Sequence, residues 1–269
     1  MVLEMLDALA KPLSDAFQLV ESSIPVTAPA GILLLGLVTG LRHSFEPDHI
    51  AAVSAMVASS EKGGKKGGLR SAPILGAIWG VGHTASLFAA GLVVLLLATA
   101  VPEWLSARLE FGVGVMLAIL AVTTITGWSV GRFFWGIISL NARHRHIHSH
   151  GQLVHDHNHN HAHDGGHAHA HKSLIVGIVH GLAGSGALML FVLPAIHSVP
   201  LGLAYIGIFG AGSIAGMAGV STLLGIPFAR LSGNSVKARL VLRYVAGVIT
   251  LAIGAGLMYE IAAGGQIFQ

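Results

Sequence analysis

Residues 31–60 read GILLLGLVTGLRHSFEPDHIAAVSAMVASS. Two apolar runs, 31–41 and 50–58, have the character of a membrane helix, yet Arg42, His43, Glu46, Asp48 and His49 sit between them. A bilayer core about 30 Å thick takes about 20 mostly apolar residues per helix, so the runs make one span only with the polar segment inside the membrane. Each ionisable side chain at that depth costs about 2.5–3.5 kcal/mol on insertion scales. Five together prevent insertion of an isolated helix unless they pair, neutralise or face a hydrated cavity. With neutral imidazoles the segment carries a formal charge of −1, from Arg42 against Glu46 and Asp48, which attracts a divalent cation. On an uninterrupted helix at about 100° per residue, His43 lies about 140° from Asp48 and about 120° from His49, so the three do not converge. Pro47 changes this. It has no N–H for the His43 carbonyl and disfavours helical geometry at Glu46. A helix broken there turns its imidazoles and carboxylate toward one point, as discontinuous helices do at transporter midplanes. The competing arrangement pairs Arg42 with Glu46 or Asp48 and leaves the histidines to cap broken backbone.

The rest of the chain is written for the same solvent. Of 269 residues, 53% are hydrophobic and 10% charged, with a mean hydropathy of +0.73; an average soluble domain carries about 25% charged residues. That is too little charge to cover a water-soluble globule, which argues against a soluble enzyme or a nucleic-acid-binding domain. The pI near 9.5 reflects a net charge of only +3. Thirty-six glycines and 6% aromatics suit closely packed membrane helices, and the absence of cysteine removes disulfides and thiolate metal sites.

Six stretches qualify as spans: 31–58, 72–99, 109–131, 173–197, 201–226 and 237–262. Residues 1–27 lack a basic leader and a continuous apolar core, so the expectation is no signal peptide. Instead Leu3, Leu6, Ala10, Leu13, Phe17 and Val20 recur at helical spacing, an amphipathic helix on the membrane surface. Twelve of the 15 basic residues fall in three alternate connections: Lys62 to Arg70, Arg132 to Lys172, and Arg230 to Arg243. The positive-inside rule makes those connections cytoplasmic and both termini extracytoplasmic.

The two halves also echo each other. Gly36-Leu-Val-Thr-Gly-Leu41 matches Gly177-Ile-Val-His-Gly-Leu182, Trp79-Gly-Val-Gly-His83 echoes Phe209-Gly-Ala-Gly-Ser213, and Ala107-Arg-Leu109 matches Ala238-Arg-Leu240. Short Gly/Ala/Leu strings recur by chance in membrane proteins, so the preserved order carries the inference. The expected architecture is an all-α multi-pass membrane protein of six transmembrane helices, arranged as two inverted three-helix repeats with the first helix broken at Pro47. Its parts are an amphipathic extracytoplasmic segment (1–28), a first repeat (29–131), a cytoplasmic histidine-rich loop (132–172), a second repeat (173–263) and a tail (264–269).

Imidazole nitrogen suits first-row transition metals, whereas all-oxygen sites suit magnesium and calcium. His43-x4-Asp48-His49 inside an early membrane helix resembles the signature of the NiCoT family of nickel/cobalt permeases. Gly40-Leu-Arg-His43 and Glu46-Pro-Asp-His-Ile50 are similar to its urease-accessory branch. Trp79-Gly-Val-Gly-His83-Thr84 looks like the family's Gly-His-Ser/Thr element, and His180-Gly-Leu-Ala-Gly-Ser185 fits the accessory branch. The resemblance covers most of residues 30–260. It departs where the eight-helix importers carry Phe-Asp-Thr and this chain has Leu-Ala-Gly-Ser, which together with six spans brings it nearer the compact branch and the nickel/cobalt efflux proteins. The resemblance implies metal ligation by His43, Asp48, His49 and His83. Glu46 and His180 are secondary candidates; His180 reads equally as a late ligand or a helix cap. His197, beside Pro200, is expected at the outer interface.

Between Arg143 and Lys172 lie 12 of the 17 histidines. His155, His157, His159, His161, His163, His167, His169 and His171 alternate with small or polar residues, a composition that binds Ni, Zn, Cu or Co without fixed geometry. No ATP-binding Walker motif and no His-Glu-x-x-His element occurs, so neither an ATPase nor an intramembrane metalloenzyme is expected. The function expected is transport of Ni²⁺ or Co²⁺ as cargo, with uptake into the cytosol and no resident cofactor; the alternative is nickel/cobalt or zinc efflux fed by the loop. The partners expected are a divalent transition-metal ion and the bilayer of the cell membrane. A second copy of the chain or an intracellular metallochaperone are further candidates, and nucleic acid is not expected.

Overall fold

The computed structural model describes residues 2–25, 28–60, 64–97, 102–127, 147–150, 153–156, 170–182, 196, 198–231 and 235–264. The helices are α1 (Val2–Ser23), α2 (Pro29–His43), α3 (Pro47–Ser60), α4 (Gly64–Leu97), α5 (Glu103–Thr126), α6 (170–182), α7 (Val199–Leu231) and α8 (Val236–Ala263). Among the described residues four stretches are long and apolar enough to cross a membrane: Ser71–Leu97, Glu103–Thr126, Val199–Arg230 and Val236–Ala263. Their outward faces carry Leu96, Val122, Leu223 and Val248, all exposed. Such continuous apolar exposure suits lipid rather than water. The fourth expected span begins as α6, and its continuation over 183–195, together with His197 and the tail beyond 264, lies outside the described residues.

The first span is discontinuous. Pro29, with its fixed φ, opens α2. The helix closes at His43 because the missing N–H of Pro47 leaves the His43 carbonyl without its usual partner. Glu46 N–H takes that carbonyl at 3.2 Å and Phe45 N–H takes the Arg42 carbonyl at 2.9 Å, two tight turns in place of helical bonds. Pro47 then serves as the first residue of α3, and Asp48 falls in its first turn, where the helix dipole favours a carboxylate. Hydroxyls from two other helices fasten α3: Thr124 Oγ1 donates to the Ala55 carbonyl at 3.2 Å and Thr250 Oγ1 to the Ala51 carbonyl at 3.0 Å. Intramembrane bonds of this kind average about 0.6 kcal/mol each.

Helix α7 lies against α2 and α4, and α8 against α3 and α5. Trp79, Leu117, Tyr205, Phe209 and Met217 are fully buried in these seams. The closest approaches use glycine. A Cβ at Gly40 would strike the Phe209 carbonyl, and one at Gly177 would strike the Trp79 carbonyl. Gly212 meets the Leu37 carbonyl and Gly82 the Leu174 carbonyl in the same way. Two contacts of α2 with α7 thus have counterparts between α6 and α4, with Gly177 in the place of Gly40 and not, as the matched strings lead one to expect, of Gly36. His180 follows Gly177 by three residues as His43 follows Gly40.

Helix α1 packs on α2 and α8. Phe17 meets Phe45 with ring centroids 6.0 Å apart, and Ile24 is buried. Within the histidine-rich loop, β1 (Ile147–His150) pairs antiparallel with β2 (Leu153–Asp156), His148 opposite His155. Composition alone does not predict this hairpin; alternating Ile147 and Val154 with polar neighbours supplies local strand character. His157, His159, His161, His163, His167 and His169 lie outside the described residues, and His171 is exposed at the start of α6.

Candidate metal centre

The break in the first span, α4 and α6 bring four histidines and one aspartate together. His43 closes α2, Asp48 and His49 open α3, His83 comes from mid-α4 and His180 from α6. His43 is 8% exposed, and His49, His83 and His180 are 1% or less. His43 Nε2 lies 3.2 Å from His83 Nε2. Asp48 is shared: Oδ1 accepts from the His49 backbone N–H at 2.9 Å and lies 3.0 Å from His49 Nδ1, while Oδ2 lies 2.9 Å from His180 Nε2. The His49 ring stands centrally, with centroids 4.3 Å from His43, 5.2 Å from His83 and 4.2 Å from His180.

Two sets of potential ligand atoms lie within 4.8 Å of one another: His43, His49 and His83, and Asp48, His49 and His180. His49 Nε2, His83 Nδ1 and His180 Nδ1 are buried without a hydrogen-bond partner. Buried polar atoms are nearly always satisfied, and His49 Nε2 is the orphan whose ring is already engaged with Asp48 at its other edge; the Nδ1 atoms of His83 and His180 lie opposite the nitrogens that face His43 and Asp48. The donors are nitrogen-rich with one carboxylate, a set suited to nickel, cobalt, zinc or copper rather than magnesium or calcium. Phe209 covers His43 at 5.4 Å between centroids and Trp79 covers His180 at 5.5 Å, giving the cluster two aromatic walls.

Of the residues singled out in the sequence, His43, Asp48, His49, His83 and His180 converge. Glu46 stands outside both sets: its Oε2 lies 3.0 Å from His43 Nδ1, on the ring edge away from His83. Arg42 meets neither Glu46 nor Asp48. Its Nε lies 3.2 Å from Glu21 Oε1 of α1, and burial pushes the Glu21 carboxyl above its ordinary range while the Arg42 guanidinium pulls it back. Trp79 and Phe209 entered the sequence reading only as repeat markers, and their place beside the histidines comes from the packing.

The chain is 34% identical over 238 residues to the urease accessory protein UreH of Bacillus sp. (strain TB-90), a match covering 88% of this chain and 95% of that relative. The chain belongs to the NiCoT family of nickel/cobalt permeases. The family is one of transporters rather than enzymes, and the apolar helices place this member in a membrane. No family model matches the chain, and no solved structure matches it either. In this NiCoT member the His43-x4-Asp48-His49 string straddles the helix break, so a short sequence signature corresponds to one point in space.

Proposed function

We propose that the chain carries Ni²⁺, and Co²⁺ by the same chemistry, across the cell membrane into the cytosol through the cluster of His43, Asp48, His49 and His83. The observation that carries this is the convergence of three buried histidines with the half-buried Asp48, with His49 Nε2 left unpartnered. Nickel transport also follows from family membership. The ion exchanges water for imidazole and carboxylate at the break. Glu46, held against His43 Nδ1, fixes that ring so that Nε2 is free to bind, the usual work of a carboxylate behind a metal-binding histidine.

Two inverted three-helix repeats supply the moving parts. The mirrored glycine contacts, and the matching places of Phe209 over His43 and Trp79 over His180, support that symmetry. The basic connections face the cytosol, so both termini are outside. A negative interior favours inward movement of a cation by about 2.3 kcal/mol per charge per 100 mV. The histidine-rich loop receives the ion on the cytosolic side.

Radioactive nickel accumulation tests the proposal. Cells expressing the wild type should exceed empty-vector cells, and His43→Ala should return them to that baseline. Equal accumulation by wild type and His43→Ala sinks the site; wild-type accumulation below the vector reverses the direction and makes the chain an exporter. Deleting 144–171 should change the rate or metal sensitivity while transport stays measurable, and complete loss in a normally inserted deletion protein would place the loop in the path. A loop peptide should bind nickel at pH 7.5 and release it by pH 5.5, because imidazoles with a pKa near 6.5 become protonated over that interval and lose their lone pair. Equal retention at both values refutes imidazole binding.

A further inference from the structure

The five donors of the cluster do not form one set. His43, His49 and His83 make one triplet, Asp48, His49 and His180 the other, and only His49 belongs to both. The close pairs are separate as well: His43 Nε2 faces His83 Nε2, while Asp48 bridges His49 Nδ1 and His180 Nε2. His49 Nε2 is buried and unpartnered, and its Nδ1 is already against Asp48. The nitrogens of an imidazole point away from each other, so this ring addresses different points with its two edges.

We propose that the site offers one ion two alternative positions that share His49, an inference that rests on the metal-transport reading above. In the first position His43, His83 and His49 Nε2 bind the ion, and His49 Nδ1–H donates to Asp48. In the second, Asp48, His180 and His49 Nδ1 bind it, and the imidazole proton sits on Nε2. Passing between them, the ion breaks its bonds to His43, His83 and His49 Nε2 and forms bonds to Asp48, His180 and His49 Nδ1. The proton leaves Nδ1 and is restored at Nε2, so the protonation of the site is unchanged overall. A neutral imidazole has one free lone pair, which makes the two positions mutually exclusive. The first is built wholly from α2, α3 and α4, and the second adds α6. Movement across the His49 ring therefore takes the ion from the first half of the chain onto the seam with the second.

The test uses the purified full-length chain with the histidines of 144–171 replaced by serine, so that only the membrane cluster binds. Cobalt(II) titration followed by optical spectroscopy gives stoichiometry, and X-ray absorption of the nickel-loaded protein gives donor type. The wild-type cluster should bind one ion per chain. His180→Ala should also bind one, held by three nitrogens, and His83→Ala one, held by two nitrogens and a carboxylate oxygen; His49→Ala should lose both forms. His180→Gln and His83→Gln preserve side-chain bulk and should divide the same way if the alanine variants do not fold. Two ions per chain, identical donor sets in the His83 and His180 variants, or loss of binding in both, overturns the two-position arrangement while leaving metal binding intact. No ion bound by the wild-type cluster overturns the transport site itself.

Discussion

His49→Ala should abolish nickel accumulation, and raising external nickel should not restore it. His49 is the side chain both ligand sets need, it is 1% exposed, and its ring lies against all three other histidines. Its loss also strips Asp48 of one of its two imidazole partners, leaving a carboxylate facing His180 alone. Glu46→Gln behaves differently. That side chain meets only the far edge of His43, and an amide oxygen still accepts from Nδ1. Changes in groups that orient a metal-binding histidine cost about 10–100-fold in affinity, so the variant should transport at wild-type maximal rate once nickel is raised by that factor. Initial uptake rates across a nickel series, at matched membrane abundance, separate the two. Substantial uptake by His49→Ala at any nickel concentration would contradict the placement of this ring at the centre of the path.

Gly40→Leu should disrupt assembly of the bundle. The added Cβ meets the carbonyl oxygen of Phe209, with the Phe209 carbonyl carbon and Cα close behind at 2.9 and 3.1 Å. Overpacking costs about 1–3 kcal/mol and occasionally more, and this clash sits at the upper end because backbone has no rotamer with which to yield. A loss near 3 kcal/mol lowers the melting temperature by roughly 6–12 °C in a domain of this size. Transport falls as well, since Phe209 lies over His43. Gly207→Ala is the control: nothing lies within 4 Å of its new Cβ, and it sits inside α7. Alanine in a helix interior is favoured over glycine by about 0.5–1 kcal/mol, so this variant should melt at or slightly above the wild type. Thermal unfolding in detergent, read by size exclusion, compares the pair. Equal melting of Gly40→Leu and wild type would mean that α2 and α7 do not touch as described.

The helix break was legible because physics leaves few alternatives: five ionisable residues and a proline inside an apolar run have to break the helix. The convergence of His43, Asp48 and His49 was readable from that break, whereas His83 entered through the family resemblance, and none of the distances were readable. The register between halves was not legible. Glycines recur four residues apart in both strings, Gly36 and Gly40 against Gly177 and Gly181, so a sequence match slides by one turn at no cost and only backbone contact decides between registers. His180 was ambiguous for the same reason: one turn separates a place beside Asp48 from a place beside Thr39. The Glu21–Arg42 pair was hidden because charge patterning assigns the acidic face of an amphipathic helix to water. The aromatic walls were hidden because Trp79 and Phe209 read as ordinary core.

The unpartnered Nε2 of His49 has a consequence for the molecule when it carries nothing. A buried polar atom without a partner is a standing cost of about 1–3 kcal/mol, and an ion taken up there in the first of the two proposed positions ties α3 to α2 and α4. Under the proposed transport reading, cargo acts as a temporary cross-brace between helices.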